Sequence, residues 1–183
     1  MKIEDLKAAI VKHFAEVENY RRNIAPEVGA KIALEHFQDS FKNQGFTDKS
    51  LQKWPEVERR KPDSPWYGFE HGGTAPRPGA KKSKKGDAPK KTHFKQIATE
   101  RDILLPEGAQ LYASVKSSTG DARFKISSDR PHASVHNFGE SAKIFGKKSF
   151  TMPKRQFIGY SAVLNKKLHD KFIDDLMKIT RVK

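Results

Sequence analysis

The chain contains no cysteine. That excludes disulfides and thiolate metal sites and fits a reducing compartment. It also has no apolar run near the roughly 18 residues that a membrane-spanning helix needs. The first residues, Met1-Lys-Ile-Glu-Asp-Leu6, are charged and amphipathic and lack the apolar core of a secretion signal. The expectation is a soluble protein, made and used in a cytoplasm. Apolar residues are scarce, at 36% of 183, and the mean hydropathy is −0.78. One ordinary domain can be built from this, with part of the chain left outside its core. Arrangements that carry chemistry are missing as well. Neither Gly68–Gly79 nor Gly139–Gly146 has the strand, glycine loop and Lys-Ser/Thr order of a phosphate loop. Ser114, Ser134 and Ser161 have no G-x-S-x-G setting. Asp174-Asp175 lies in a lysine-rich stretch and reads as solvated surface. The expectation is no enzyme and no cofactor.

Positive charge, by contrast, is abundant, with a net +14 that is unevenly spread. Residues 1–57 and 101–140 are each balanced. Residues 58–100 carry eleven basic against five acidic side chains, and residues 141–183 carry eleven against three. Excess held in two segments focuses field and suits a polyanion or an acidic protein surface. A solvated face is the plainer alternative.

Ile3, Leu6, Ile10, Phe14 and Val17 fall on one helical stripe, so residues 2–18 are predicted helical. Arg21-Arg22-Asn23 break the stripe. Pro26 and Glu27 suit the start of a second helix over about 26–44, with Gly45 as its stop. This divides the chain into an amphipathic arm or interface helix, 1–23, and a main domain, 24–183. Phe46–Trp54 reads as a loop or short helical turn. Residues 55–96 form an extended basic loop rich in proline and glycine, without hydrophobic period. Gln110–Ser117 and Ala122–Ser128 alternate like two hairpin strands around Ser117–Asp121. Pro131–Phe138 is a short helix candidate, with Asp129 as N-cap and Gly139 as its end. A basic loop follows, then a strand at Phe150–Met152 and a closing helix over Ser161–Ile179. The fold class is α+β: a small antiparallel sheet packed by a long helix, with the N-terminal helix and the basic loop added.

His132 and His136 are one helical turn apart and could share a metal, but no third ligand is specified. A histidine half-buried against the sheet is the favoured reading. Lys81, Lys82, Lys84, Lys85, Lys90 and Lys91 are the best candidates for facing DNA or a partner. With few aromatics among them they suit backbone-only, salt-sensitive contact. A solvated linker, or a strap across an acidic neighbour, explains them equally. Trp54, Trp66, Tyr67 and Phe69 suggest partner contact, the other reading of Trp54 being a cap on the second helix's core.

Three segments together resemble the phage virion morphogenesis family. Phe37-Gln-Asp-Ser-Phe41, Gln44-Gly45-Phe46, Thr47-Asp48, Leu51 and Trp54 are similar to its opening "helix, NF/SF, QGF, then W". Ile103-Leu-Leu105, Gly108, Leu111 and Ser114-Val115 resemble the stretch before its hairpin. Most specific are Ala133, Val135-His136-Asn137, Gly139, then Met152-Pro153, Arg155, Phe157-Ile158-Gly159 and Ser161, which resemble "YAAIHNxGG … MPxRPFxG.S". Glu140 and Gln156 depart from that pattern. The resemblance covers roughly 26–54 and 97–180. It implies a non-enzymatic virion subunit of a tailed phage that acts in tail completion or the head–tail neck, in the virion and, during assembly, in the host cytoplasm. The implied partners are copies of itself in a closed ring (hexamer or dodecamer), neighbouring connector, tail terminator or tail tube proteins, and packaged DNA without sequence specificity; no membrane is implied. Phe41, Gly45, Phe46, Trp54, His136, Gly139, Pro153, Arg155, Phe157 and Gly159 become the interface or structural motif. Gly139, Pro153 and Gly159 read as shape-setters, and Arg155 as a side chain to test for a partner. The alternative is a basic nucleic-acid-binding module without sequence specificity. A metal enzyme using His132 and His136 is a distant third.

Overall fold

The computed structural model describes residues 3–64, 66–68, 99–104, 110–144 and 148–181. Helix α1 (Ile3–Asn19) runs through one π-helical turn (Tyr20–Ile24) into α2 (Ala25–Lys42) without a break. The sequence suggested an interruption at Arg21–Asn23. Local pairs keep the turn wound instead: the Glu18 carboxylate accepts from Arg21 and Arg22 at 2.8 and 2.5 Å, and Asn23 donates to Asn19 at 2.8 Å. Pro26 has no N–H to offer the Arg22 carbonyl. That carbonyl accepts from Ala122 N at 3.2 Å. The proline thus frees an acceptor that ties the helix junction to a distant turn.

Strands β1 (Gly45–Thr47) and β2 (Leu51–Lys53) form an antiparallel hairpin where a loop or helical turn was expected. Gly45 does not stop α2. Asn43 caps it, and Gln44, at φ +48°, turns the chain. Gly45 is needed for the pairing itself. A Cβ there would lie 2.6 Å from the Gln52 carbonyl and 2.9 Å from Lys53 Cα. A 3-10 turn, Glu58–Arg60, follows. Helix α3 (Gln110–Ser114) precedes β3 (Val115–Gly120), which pairs with β4 (Arg123–Ser128). Gln110–Ser114 is therefore helical rather than strand, and the hairpin turn narrows to Asp121-Ala122, with Ala122 at φ +52°. Helix α4 (Ala133–Phe138) ends at Gly139 in the left-handed region, φ +74°. Its N-cap is His132 with no side-chain bond, while Asp129 pairs with Lys116 at 3.5 Å. The basic loop expected next is largely a hairpin of β5 (Ser141–Ile144) and β6 (Lys148–Thr151). Helix α5 (Ala162–Thr180) closes the described chain.

The architecture is mixed helix and sheet, as the sequence indicated, but in place of a single small sheet the described residues form three separate two-stranded ribbons. Helix α2 lies against the β3–β4 ribbon as well as α5. Gly29 makes the approach possible. A Cβ there would fall 2.6 Å from the Phe124 ring of β4 and 3.1 Å from the Phe172 ring of α5. One core cluster gathers Phe41, Trp54, Ile103, Leu111, Val115, Ala133 and Phe157. A second joins Ala33, Phe37, Phe46 and Leu164. Residues 99–104 reach the first cluster through a polar strap. Arg59 donates to the carbonyls of Arg101 and Asp102 at 2.8 and 3.0 Å, and Arg60 to that of Arg101 at 2.8 Å. Gln44 completes it with bonds to Arg60, Asp102 and Ile103 N. Of the expected 55–96 loop, residues 55–64 and 66–68 are described; Lys81, Lys82, Lys84, Lys85, Lys90 and Lys91 lie outside the described residues.

Candidate functional site

The motif residues from both halves of the chain converge on Gln156–Ile158. Phe41, from the last turn of α2, meets the Trp54 ring edge-on at 5.7 Å, that of Tyr112 at 5.8 Å and that of Phe157, tilted, at 5.0 Å. Phe41 and Phe157 are fully buried. Trp54 is buried with them and donates its indole N–H to the Gln156 carbonyl at 2.7 Å. It is a core residue of its own chain, whereas Trp66 and Tyr67 are exposed. Phe46 joins the second cluster and stacks on Phe37 at 6.4 Å.

Asn137 is the residue the sequence reading passed over. Its buried side chain accepts from Phe157 N and Ile158 N, both at 2.9 Å, and donates to the Ile158 carbonyl at 3.0 Å. A short α4 thereby supplies in one amide what a neighbouring strand would otherwise supply to that backbone. The signal was its place between His136 and Gly139 in the motif. Asp48 was passed over too. In the β1–β2 turn, its carboxylate accepts from Ala162 N at 2.9 Å and its carbonyl from Val163 N at 3.1 Å. Ser161 accepts from Leu164 N at 3.1 Å. Together they satisfy the first N–H groups of α5 and place an anion at its positive end.

Arg155 is 5% exposed, and no carboxylate among the described residues lies within bonding distance of it. Its guanidinium donates to the Pro55 carbonyl at 3.3 and 3.2 Å and touches the Met152 sulfur. Its backbone N–H donates to the His136 carbonyl at 2.7 Å. The Arg155 pKa lies below its ordinary value because the group is buried. His136 is half-buried, with Nδ1 enclosed and unpartnered, and its ring stands edge-on to His132 at 6.0 Å. Burial first, then Arg155 and His132, hold it below the ordinary histidine value. No group of three or more potential metal ligands occurs among the described residues. Gly139 is required twice over. Its φ is positive, and a Cβ would lie about 3.1 Å from the Lys154 backbone. Gly159 is different: a Cβ would meet only the movable Gln156 amide. Pro153 is exposed.

Asp175 also departs from the solvated reading. It is partly buried, pairs with Lys171 at 2.5 Å and accepts from the Tyr20 hydroxyl at 3.1 Å. Burial first, then this contact, push the Tyr20 phenol up to about 12.

At the Gln156–Ile158 junction the side chains of Trp54, Asn137 and Arg155 each bond backbone groups of distant segments. The arrangement can hold segments in register. A family model for phage virion morphogenesis matches residues 73–177, more than half of the chain. The chain belongs to the phage virion morphogenesis family. The match begins at residue 73, within the 55–96 loop that the sequence reading left outside the resemblance, and it omits 26–54, which that reading placed inside. The virion morphogenesis match thus covers the Asn137 and Arg155 half of the junction but not the Phe41 and Trp54 half. No curated protein and no solved structure matches the chain. No helix among the described residues is long and apolar enough to cross a membrane.

Proposed function

We propose that the protein is a structural virion subunit of a tailed phage, without enzymatic activity, that forms a closed homo-oligomeric ring at the head–tail junction or completes the tail. Family membership supplies the virion assembly role. The observation that carries the structural reading is the use of the motif residues: Trp54, Asn137 and Arg155 each bond backbone groups of their own chain. Three ribbons with strand edges that no other described strand covers supply surfaces for like or unlike neighbours. The implied neighbours are connector, tail terminator or tail tube proteins. Imaging intact particles with the chain labelled tests the reading. The expected result is ring density where head meets tail, hexameric or dodecameric. Finished particles lacking the label would overturn it.

A second reading, non-specific contact with DNA, draws on the β3–β4 register. The pairs Lys116–Ser127, Ser118–Lys125 and Gly120–Arg123 face one side, each setting one cation beside one small residue. Asp129 pairs with Lys116 at the ribbon's base. Replacing Lys116, Arg123 and Lys125 by glutamine is expected to reduce the log–log salt dependence of duplex binding by about 2–3, at about 0.9 per phosphate contact. An unchanged slope removes the ribbon from any such contact.

A further inference from the structure

Strands β5 and β6 bond only each other. No other described element lies along either of them. Ser141, Lys143, Ser149 and Thr151 are all exposed. A lone two-stranded ribbon is marginally stable at best in water, and these strands are short. The base of the ribbon is nevertheless fixed. Met152 N donates to the Glu140 carbonyl at 3.2 Å, Glu140 N to that of Val135 at 3.2 Å, and Arg155 N to that of His136 at 2.7 Å. The ribbon therefore leaves the junction in a set direction. Its register says which groups are open. Antiparallel pairs alternate between those that exchange backbone bonds and those that do not. Because Met152 bonds Glu140, the next bonded pairs are Ala142–Phe150 and Ile144–Lys148. The backbone N–H and C=O groups of Ser141 and Lys143 on β5, and of Ser149 and Thr151 on β6, point away from the ribbon. They find no partner among the described residues.

We infer that β5 of each copy pairs antiparallel with β6 of the next, so that the ribbons close into one barrel with two strands from every copy. This rests on the ring of the assembly reading proposed above and names a contact that holds it. Symmetry is the first argument. Copies in a ring all point the same way about the axis. With the ribbons side by side, the strand that meets β5 of one copy is β6 of its neighbour, and it already runs antiparallel. The contact is heterologous, closes when the ring closes and leaves no strand edge open. Matching is the second. Open backbone groups recur at every second residue on both edges, so the two edges meet donor to acceptor. Charge is the third. Lys143 then stands opposite Ser149 or Thr151, one cation beside a small hydroxyl. A two-fold pairing of β5 with β5 would instead crowd the two Lys143 ammonium groups on one face. The contact draws only on groups that the chain does not use for itself, so it can form without refolding the domain.

The absence of cysteine makes the test direct. Full-length Lys143→Cys and Ser149→Cys proteins are co-expressed, one of them tagged, and oxidised; Lys143→Cys with Thr151→Cys covers the neighbouring register. A mixed disulfide between copies is expected to exceed the disulfide of either variant with itself several-fold. Proline gives the second arm. The Lys143 and Ser149 N–H groups are not used inside the ribbon, so Lys143→Pro or Ser149→Pro removes an outward donor and no bond of the chain's own. Light scattering is expected to show wild type as a ring and either proline variant at 20.8 kDa, with the circular dichroism of the fold retained. Self-disulfides as abundant as the mixed one, a monomeric wild type in concentrated solution, or an unchanged mass for both proline variants overturns the pairing. Ring density on particles with no cross-link between β5 and β6 would leave the assembly reading standing and sink this one alone.

Discussion

The junction around Gln156–Ile158 and the helix α1 obey opposite rules. At the junction, aromatic rings are fully enclosed and the enclosed backbone groups find donors or acceptors within the chain. Along α1, large apolar side chains face water, and the anchorage comes at the helix's far end, through Tyr20 to Asp175. Burial and polar satisfaction together give a region one structure in isolation. An amphipathic helix with an uncovered stripe has a preferred helix but an unfinished tertiary contact. The junction is therefore the part that fixes shape, and α1 the part whose apolar stripe the described residues leave largely uncovered.

The sharpest way to break this contrast is at Phe41. Phe41→Ala removes the ring shared by Trp54, Tyr112 and Phe157, and about 3–5 kcal/mol of stability is expected to go with it. Chemical denaturation with an unchanged m-value would measure this. Asn137→Ala comes next, at about 3 kcal/mol, because two N–H groups and one carbonyl lose their partners inside the protein. A loss below about 1 kcal/mol would mean that water enters the junction and that it is less closed than described.

These two residues also mark what the sequence could reveal. Phe41 was legible because helical period, a local property, puts it on the inner face of α2. The closing helix and the left-handed Gly139 were legible for the same reason: their signals lie within a few residues. Asn137 was not legible as a clamp, because its partners lie about twenty residues ahead. Asp48 caps a helix more than a hundred residues away. The β1–β2 hairpin was hidden because its three-residue strands depend on Gly45 passing the Gln52–Lys53 backbone, a contact no alternation announces. Trp54 was grouped with Trp66 and Tyr67 as a partner contact because it borders a stretch without hydrophobic period, a cap on the second helix's core being the other reading; its neighbours in space, Phe41 and Phe157, favour the cap.

Glycine substitutions sharpen the comparison within the junction. Gly139→Ala places a Cβ against the Lys154 backbone at positive φ and is expected to cost about 1–3 kcal/mol. Gly159→Ala is expected to cost well under 1 kcal/mol, since Gln156 can rotate away. Equal costs would show that Gly159 also sets the path of the chain.

Acid gives a gentler probe. His36, enclosed beside Thr47, and His136 both lie below the ordinary histidine value, burial being the largest cause in each. Between the ordinary value near 6.5 and their folded values, the unfolded chain binds more protons than the native one. Stability therefore rises with pH in that window and falls as pH drops from 7 toward 5. Thermal melts at pH 7, 6 and 5 are expected to show this loss in wild type and a smaller one in His36→Gln. An identical pH dependence would exclude His36 from the effect.

The smallest expected effect tests the other side of the comparison. Phe14→Asp inserts a charge into α1 at a position already 72% exposed. In a single chain this removes little buried area and strands no polar group, so stability is expected to change by no more than about 0.5 kcal/mol. The same substitution in the enclosed ring of Phe41 would be ruinous, because a carboxylate there would have neither water nor a partner. If Phe14→Asp instead lowers stability by several kcal/mol at low protein concentration, α1 is part of the monomer's core and the contrast between the two regions fails. If the loss instead appears only as protein concentration rises, the missing energy belongs to a contact between copies, because linkage to association stabilises only the species that associates.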